Sequence, residues 1–186
     1  KIKDMGLYLP PPLKVPPGLV LPFKPIIVHG NHVYISGHAP QDPDGSISKP
    51  LGKLGRDLTV EQGYKCAQLV GLSILGDLKR AIGSLDRVKQ WLKALGMVNA
   101  VPEFTSTTPV INGFSELIVS LFGPDVGAHT RSAVGMSTLP LDIPVEIEGE
   151  LIIKAWSFDF DDHLVQYIED SLHERERPLF GRRGAL

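Results

Sequence analysis

One cysteine in 186 residues, Cys66, excludes an internal disulfide and any zinc site built on thiolates. Neither charge sign is in excess: 19 Lys and Arg stand against 21 Asp and Glu, a formal net charge of −2. Attraction to nucleic acid or anionic lipid needs a clustered basic surface, and a basic patch interleaved with aromatics is missing too. No apolar run reaches the ~20 residues of a bilayer span. Leu19 to Val28 is broken by Pro22, Lys24 and Pro25, which make it a poor signal-peptide core. Gly52-Lys-Leu-Gly-Arg56 lacks the Gly-Lys-Ser/Thr ending of a Walker loop, and no Gly-x-Ser-x-Gly elbow offers a nucleophile. The expectation is no membrane contact and no nucleic-acid partner. Residence is expected in the cytoplasm, or in an organellar matrix if a leader was removed.

What is present suits one domain with extensions, since 42% of residues are hydrophobic and the length allows a self-sufficient core. Seven of the sixteen prolines fall in residues 1–25, which read as an extended arm along the surface. Ile26 to Gly37 reads as two strands around a Gly30-Asn31 turn, and Asp42-Pro-Asp-Gly45 as a further turn. Thr59 to Ile82 has helical periodicity, a capping box in Thr59-x-x-Gln62 and a stop at Gly83. Gly71 on its apolar side suggests close approach to a sheet. Val88 to Asn99 is a long strand. Pro109 to Phe122 is a second helix, with Thr108 as N-cap and Gly123-Pro124 as terminator. The order β-β-α-β-α-β-β gives an α+β fold with two helices on one face of a mixed sheet. Residues 26–157 form the domain. Beyond it, 158–186 carry an amphipathic helix over Asp161 to Arg175 and a charged tail.

The chain is organised around His129 to Leu151, which reads as two short strands, Arg131 to Ser137 and Val145 to Ile153, joined by a Pro-containing turn. Val145, Ile147 and Leu151 alternate with Glu146, Glu148 and Glu150, so aliphatics face a core and carboxylates the opposite side. That face is either plain solvent-exposed sheet or a cleft in which Arg131 meets carboxylates and grips a small anion. His29, His32 and His38 invite a metal, but His29 and His32 are expected on opposite sides of their strands. No acidic fourth ligand is suitably spaced, so no zinc site is expected.

Arg131-Ser132-Ala-Val, Leu139-Pro140 and Val145-Glu146-Ile147-Glu148 resemble the signature of the RidA/YjgF family. The likeness extends to Gly30-Asn31-x-Val-Tyr-Ile-Ser36-Gly37, Gly55-Arg-Asp-Leu-Thr, Val98-Asn-Ala-x-Pro-Glu-Phe104 and Val110-Ile-Asn112-Gly, roughly residues 6–153, in the manner of the family's longer branch. The resemblance implies a chorismate-mutase-like fold assembling as a homotrimer, with pockets between subunits. It implies an imine/enamine deaminase, often labelled an L-PSP endoribonuclease, acting on small 2-imino acids to release 2-keto acids and ammonia without metal or cofactor. Arg131 would bind the substrate carboxylate and Glu146 would orient water, while Phe23, Ser36, Gly37 and Asn112 would line the pocket. Three positions depart from the pattern: Phe23 replaces a tyrosine, His38 a glutamine and Ala133 a cysteine. Phe23 leaves room for a second function, a non-catalytic module that senses a small carboxylate. Read on their own, Ser36 is a hydroxyl for backbone bonding and Asn112 is either a helix-backbone partner or a pocket residue. Glu148 and Glu150 form a solvated or channel-lining face.

Overall fold

The computed structural model describes residues 2, 4–15, 17, 18 and 20–155. The helix expected over 161–175 lies outside the described residues. Five strands and two helices follow the expected order: β1 (Ile26–His29), β2 (His32–His38), α1 (Val60–Ile82), β3 (Val88–Asn99), α2 (Thr107–Gly127), β4 (Thr130–Met136) and β5 (Val145–Ile153). They build a mixed sheet in the order β1-β2-β5-β3-β4, antiparallel except where β3 and β4 run parallel.

That order corrects the hairpin expected from Arg131 to Ile153, because β3 lies between β4 and β5. Returning β4 beside β3 needs a crossover, which α2 supplies, and leaves β4 as the sheet's edge. The alternation within β5 is as expected: Val145, Ile147 and Leu151 are fully buried against the helices, while Glu146, Glu148 and Glu150 occupy the other face.

Helix α1 starts and stops on its local signals. The Thr59 hydroxyl accepts from the Gln62 amide, the Gln62 side chain accepts from the Thr59 amide, and the Gly83 amide closes on Lys79 O. Helix α2 begins two residues before Pro109. Its expected cap is not made, and Thr107 donates instead to Ala133 O on β4. Gly123 takes a φ of 82° and Pro124 brings no N–H, so the helix breaks where expected, then resumes for a last turn to Gly127. The helices meet over glycine. A Cβ on Gly113 would stand 2.1 Å from Tyr64 O, and one on Gly71 would press on Leu117 and Phe114 of α2. Gly71 therefore serves the helix–helix seam, not an approach to the sheet. Between helices and sheet lie Val70, Ile74, Leu78, Ile111, Phe114 and Ile118, with Trp91 set edge-on to Phe114 at 5.7 Å.

Ahead of β1 the backbone is held mainly through carbonyls. Arg80 donates to Pro10 O and the Gln41 amide to Pro11 O, and the Lys14 amide donates to Gly45 O. On the helix-free face Ile27 and Tyr34 on β1 and β2, and Val134 and Met136 on β4, are exposed by 50%, 47%, 38% and 37%, two apolar patches separated by β5, with its three glutamates, and β3. No helix among the described residues is long and apolar enough to cross a membrane.

Candidate functional site

The predicted residues gather into two groups on opposite faces of the sheet. The first surrounds Arg131, second residue of the edge strand β4. Its partner Ala94 is fully buried against the helices, and Arg131 points to that same side. There Nη1 donates to Asn112 Oδ1 and to Ser115 Oγ, both at 3.0 Å, from residues one helical turn apart on α2. Asn112 thus binds the arginine and not its own helix. His129, two residues ahead of Arg131, places Nε2 3.0 Å from the Ser115 oxygen and Nδ1 2.7 Å from Gly127 O. Burial pushes the His129 ring below its usual pKa, opposed by the Gly127 carbonyl and assisted by the Arg131 charge. Ser115 and His129 were not among the residues singled out from the sequence. The available signal was their spacing, three residues after Asn112 and two before Arg131.

The second group surrounds Glu146 on the helix-free side. Pairing slips between Ile35 and His38 on β2, and Gly37 lies in that slip. A Cβ built there would stand 1.9 Å from Glu146 Oε1, so the carboxylate lies directly on the Gly37 backbone. Burial raises the Glu146 pKa, the neighbouring Glu148 raises it further, and His38 opposes both. The Ser36 hydroxyl donates 2.8 Å to Lys24 O, and the Ser36 amide donates to Pro25 O. It is a backbone-bonding hydroxyl, which fixes the segment that carries Phe23. Phe23 itself is 55% exposed.

Beneath this group His38 is buried, with Nδ1 2.7 Å from Ser36 O and Nε2 3.1 Å from Asp77 Oδ2 on α1. Asp77 also accepts from Arg80, whose other nitrogen reaches Pro10 O. Burial pushes the Asp77 carboxyl up, but hydrogen bonds from His38 and Arg80 outweigh it and hold the pKa low. This network ties the proline-rich segment, α1 and the Gly37 slip together. Across the sheet His32 stacks on Tyr34 at 4.5 Å and meets Glu150 at 3.2 Å, and Glu148 is exposed. A concavity of about 270 Å³ opens there between Tyr34, Ser36, Lys93, Leu95, Glu148 and Glu150. His29 and His32 are direct cross-strand partners and so share a face, contrary to expectation. A two-residue turn makes positions three apart face each other, a correspondence that alternation along a single strand does not contain.

Within one chain, then, Arg131 and Glu146 cannot meet in a cleft as the hairpin reading had them. The sheet itself separates them, with β3 between their strands.

A family model described as YjgF/chorismate mutase-like, putative endoribonuclease, matches residues 12–147. Protein TCP17 of Trypanosoma cruzi is 38% identical over 123 residues, 66% of this chain and 76% of that protein. Among solved structures, the protein Atu1372 of unknown function from Agrobacterium tumefaciens superposes with a TM-score of 0.73 at 34% identity, over 83% of this chain and 91% of that one. A putative endoribonuclease from Shewanella oneidensis gives a TM-score of 0.73 at 27% identity, over 82% of this chain and 96% of its own.

Proposed function

This chain belongs to the YjgF/chorismate mutase-like, putative endoribonuclease family, and from that premise we propose that it is a homotrimeric hydrolase of small 2-imino acids. The observation that carries the reading is the division of the site into two prepared halves. One is a guanidinium braced by Asn112 and Ser115 at a free sheet edge. The other is a half-buried carboxylic acid of raised pKa lying on Gly37. One chain holds them on opposite faces, so a complete site takes Arg131 from one copy and Glu146 from the next. The exposed apolar side chains on either side of β5 and β3, Ile27 and Tyr34 on one and Val134 and Met136 on the other, support packing of such copies face to face.

Arg131 pairs with the ligand carboxylate and orients the imine carbon. Glu146 accepts a proton from water as its oxygen bonds to that carbon and passes the proton to the imine nitrogen, giving a neutral carbinolamine. It then takes the carbinol hydroxyl proton and delivers it to the same nitrogen as the C–N bond breaks, so ammonia and the 2-keto acid leave and Glu146 is again ionised. Water plus imine gives ketone plus ammonia, so nothing else is consumed. A carboxyl with a raised pKa suits both directions of this transfer.

Phe23 favours a second reading, a carboxylate-binding trimer without turnover, because it brings no phenolic hydroxyl to the Glu146 side. Cleavage of RNA finds less support, since the Glu146, Glu148 and Glu150 face repels a phosphate backbone. The deciding experiment generates 2-aminoacrylate or its imine in situ with a dehydratase or an amino-acid oxidase and follows ammonia release with and without the protein. Acceleration abolished by Arg131→Ala supports the hydrolase. Binding of a 2-keto acid without acceleration supports the sensor. Neither outcome, or a monomer mass by light scattering at micromolar concentration, refutes the shared-site reading.

A further inference from the structure

The reading of Arg131 as the ligand anchor leaves open which edge of its guanidinium meets the ligand and what holds it there. Nη1 carries two hydrogens, and two acceptors, Asn112 Oδ1 and Ser115 Oγ, each lie 3.0 Å away. Both Nη1 hydrogens are therefore engaged. Nε and Nη2 make no hydrogen bond among the described residues, and their N–H bonds run parallel along one side of the guanidinium plane. Their spacing matches the two oxygens of a carboxylate.

We propose that Ser115 and His129 form a relay that sets the attitude of the Arg131 guanidinium, so that its Nε–Nη2 edge grips a carboxylate side-on. His129 is here a positioning residue. A serine hydroxyl has one hydrogen and rotates freely, so it accepts from Arg131 only when its own hydrogen is occupied elsewhere. His129 Nε2, at 3.0 Å, occupies it, provided that nitrogen is bare. The Gly127 carbonyl, 2.7 Å from Nδ1, can only accept, and so selects the tautomer with the proton on Nδ1. Phe114, 5.6 Å away and edge-on, and Trp91, at 6.4 Å, fix the plane of the ring. The sequence of bonds runs one way, from Arg131 to Ser115 to His129 and, through Nδ1, to the Gly127 carbonyl.

The helix serines give an internal comparison. Ser73 and Ser120 turn their hydroxyls back to carbonyls of their own helices, Leu69 O and Leu117 O, as mid-helix serines commonly do. Ser115 turns to Arg131 and His129 instead. The departure shows that its hydroxyl serves the arginine and not the helix.

The test uses the full chain, with pyruvate as the charged probe and methyl pyruvate as its uncharged counterpart, and ligand-observed NMR titration as the measurement. Arg131→Ala should abolish pyruvate binding; if it does not, the anchor reading falls and the relay with it. With that loss established, Ser115→Ala and His129→Phe should each weaken pyruvate about tenfold, and the double variant should weaken it no further. Ser115→Thr should restore most of the loss, and methyl pyruvate should be indifferent to all of them. Unchanged pyruvate affinity in either single variant overturns the relay while leaving the anchor. So do losses that multiply in the double variant, or equal losses for the ester. A measurement on the unaltered protein guards against variants that misfold. The ¹⁵N resonances of His129 should show Nδ1 protonated and Nε2 bare at neutral pH, and the opposite tautomer refutes the relay.

Discussion

Replacing Gly37 by alanine is the sharpest test of where the Glu146 carboxylate acts. The added Cβ would stand 1.9 Å from Oε1, so the oxygen must withdraw by roughly 1.1 Å to reach even a 3.0 Å contact. Gly37 does not have a positive φ, so alanine carries no backbone strain there. The clash falls on the far end of a flexible side chain that is only half-buried, which can swing away. The fold should therefore survive with a midpoint within a few degrees of wild type. Chemistry is less tolerant: a misplacement of ~1 Å in a reacting group costs on the order of 10²-fold in rate. In the coupled imine assay, Gly37→Ala should lower turnover by about that factor while leaving the affinity for pyruvate nearly unchanged, since Arg131 is untouched. Wild-type turnover by Gly37→Ala, in a variant of wild-type mass, would refute Glu146 as the water-orienting group. A parallel loss of pyruvate affinity would show that the two half-sites are not independent.

Arg131→Lys should fail nearly as badly as Arg131→Ala, because one ammonium cannot make two parallel bonds to a planar carboxylate. The loss should correspond to ~2–5 kcal/mol of binding, read by titration with pyruvate. Glu146 must be ionised to accept a proton, so turnover should fall as pH drops through a pKa above the usual glutamate value of 4.5, and a rate profile in pH measures that limb. The same raised pKa means ionised Glu146 opposes folding at neutral pH and that this cost is relieved as pH falls. Glu146→Gln should therefore abolish turnover without lowering the urea midpoint. His38→Ala would remove one of two partners from the partly buried Asp77 and should cost ~1–3 kcal/mol in urea unfolding.

Most of the fold was legible because its signals are local. The capping box at Thr59, the stop at Gly83, the Gly30-Asn31 turn and the alternation of β5 each act within a few residues, and each element stands where they place it. The order of the strands was not local. Nothing between Met136 and Val145 says that a strand from residues 88–99 lies between β4 and β5, because that choice is made by packing under α2. The same gap explains the misplaced Arg131. Alternation tells which residues of one strand share a face, but not how the faces of two separated strands correspond. Asn112 came out as a partner of Arg131, Ser36 as a backbone staple, and Gly71 at a helix seam, each decided by a neighbour remote in sequence. Ser115 and His129 carry no individual signal of a role in the sequence, because neither is unusual alone.

The place of β5 has a consequence for how the chain assembles. β1 with β2, and β3 with α2 and β4, can each form from neighbouring segments, but only the late strand β5 hydrogen-bonds to both. Until Val145–Ile153 has been synthesised the sheet exists as two halves, each with an open edge. During translation those edges of β2 and β3 are exposed together, a hazard of intermolecular strand pairing that ends when β5 inserts. A chain truncated after Met136 should thus hold two sheet halves that share no strand pairing and are prone to co-aggregate. The single step of threading β5 between them, a long-range closure, should set the folding rate of the whole domain.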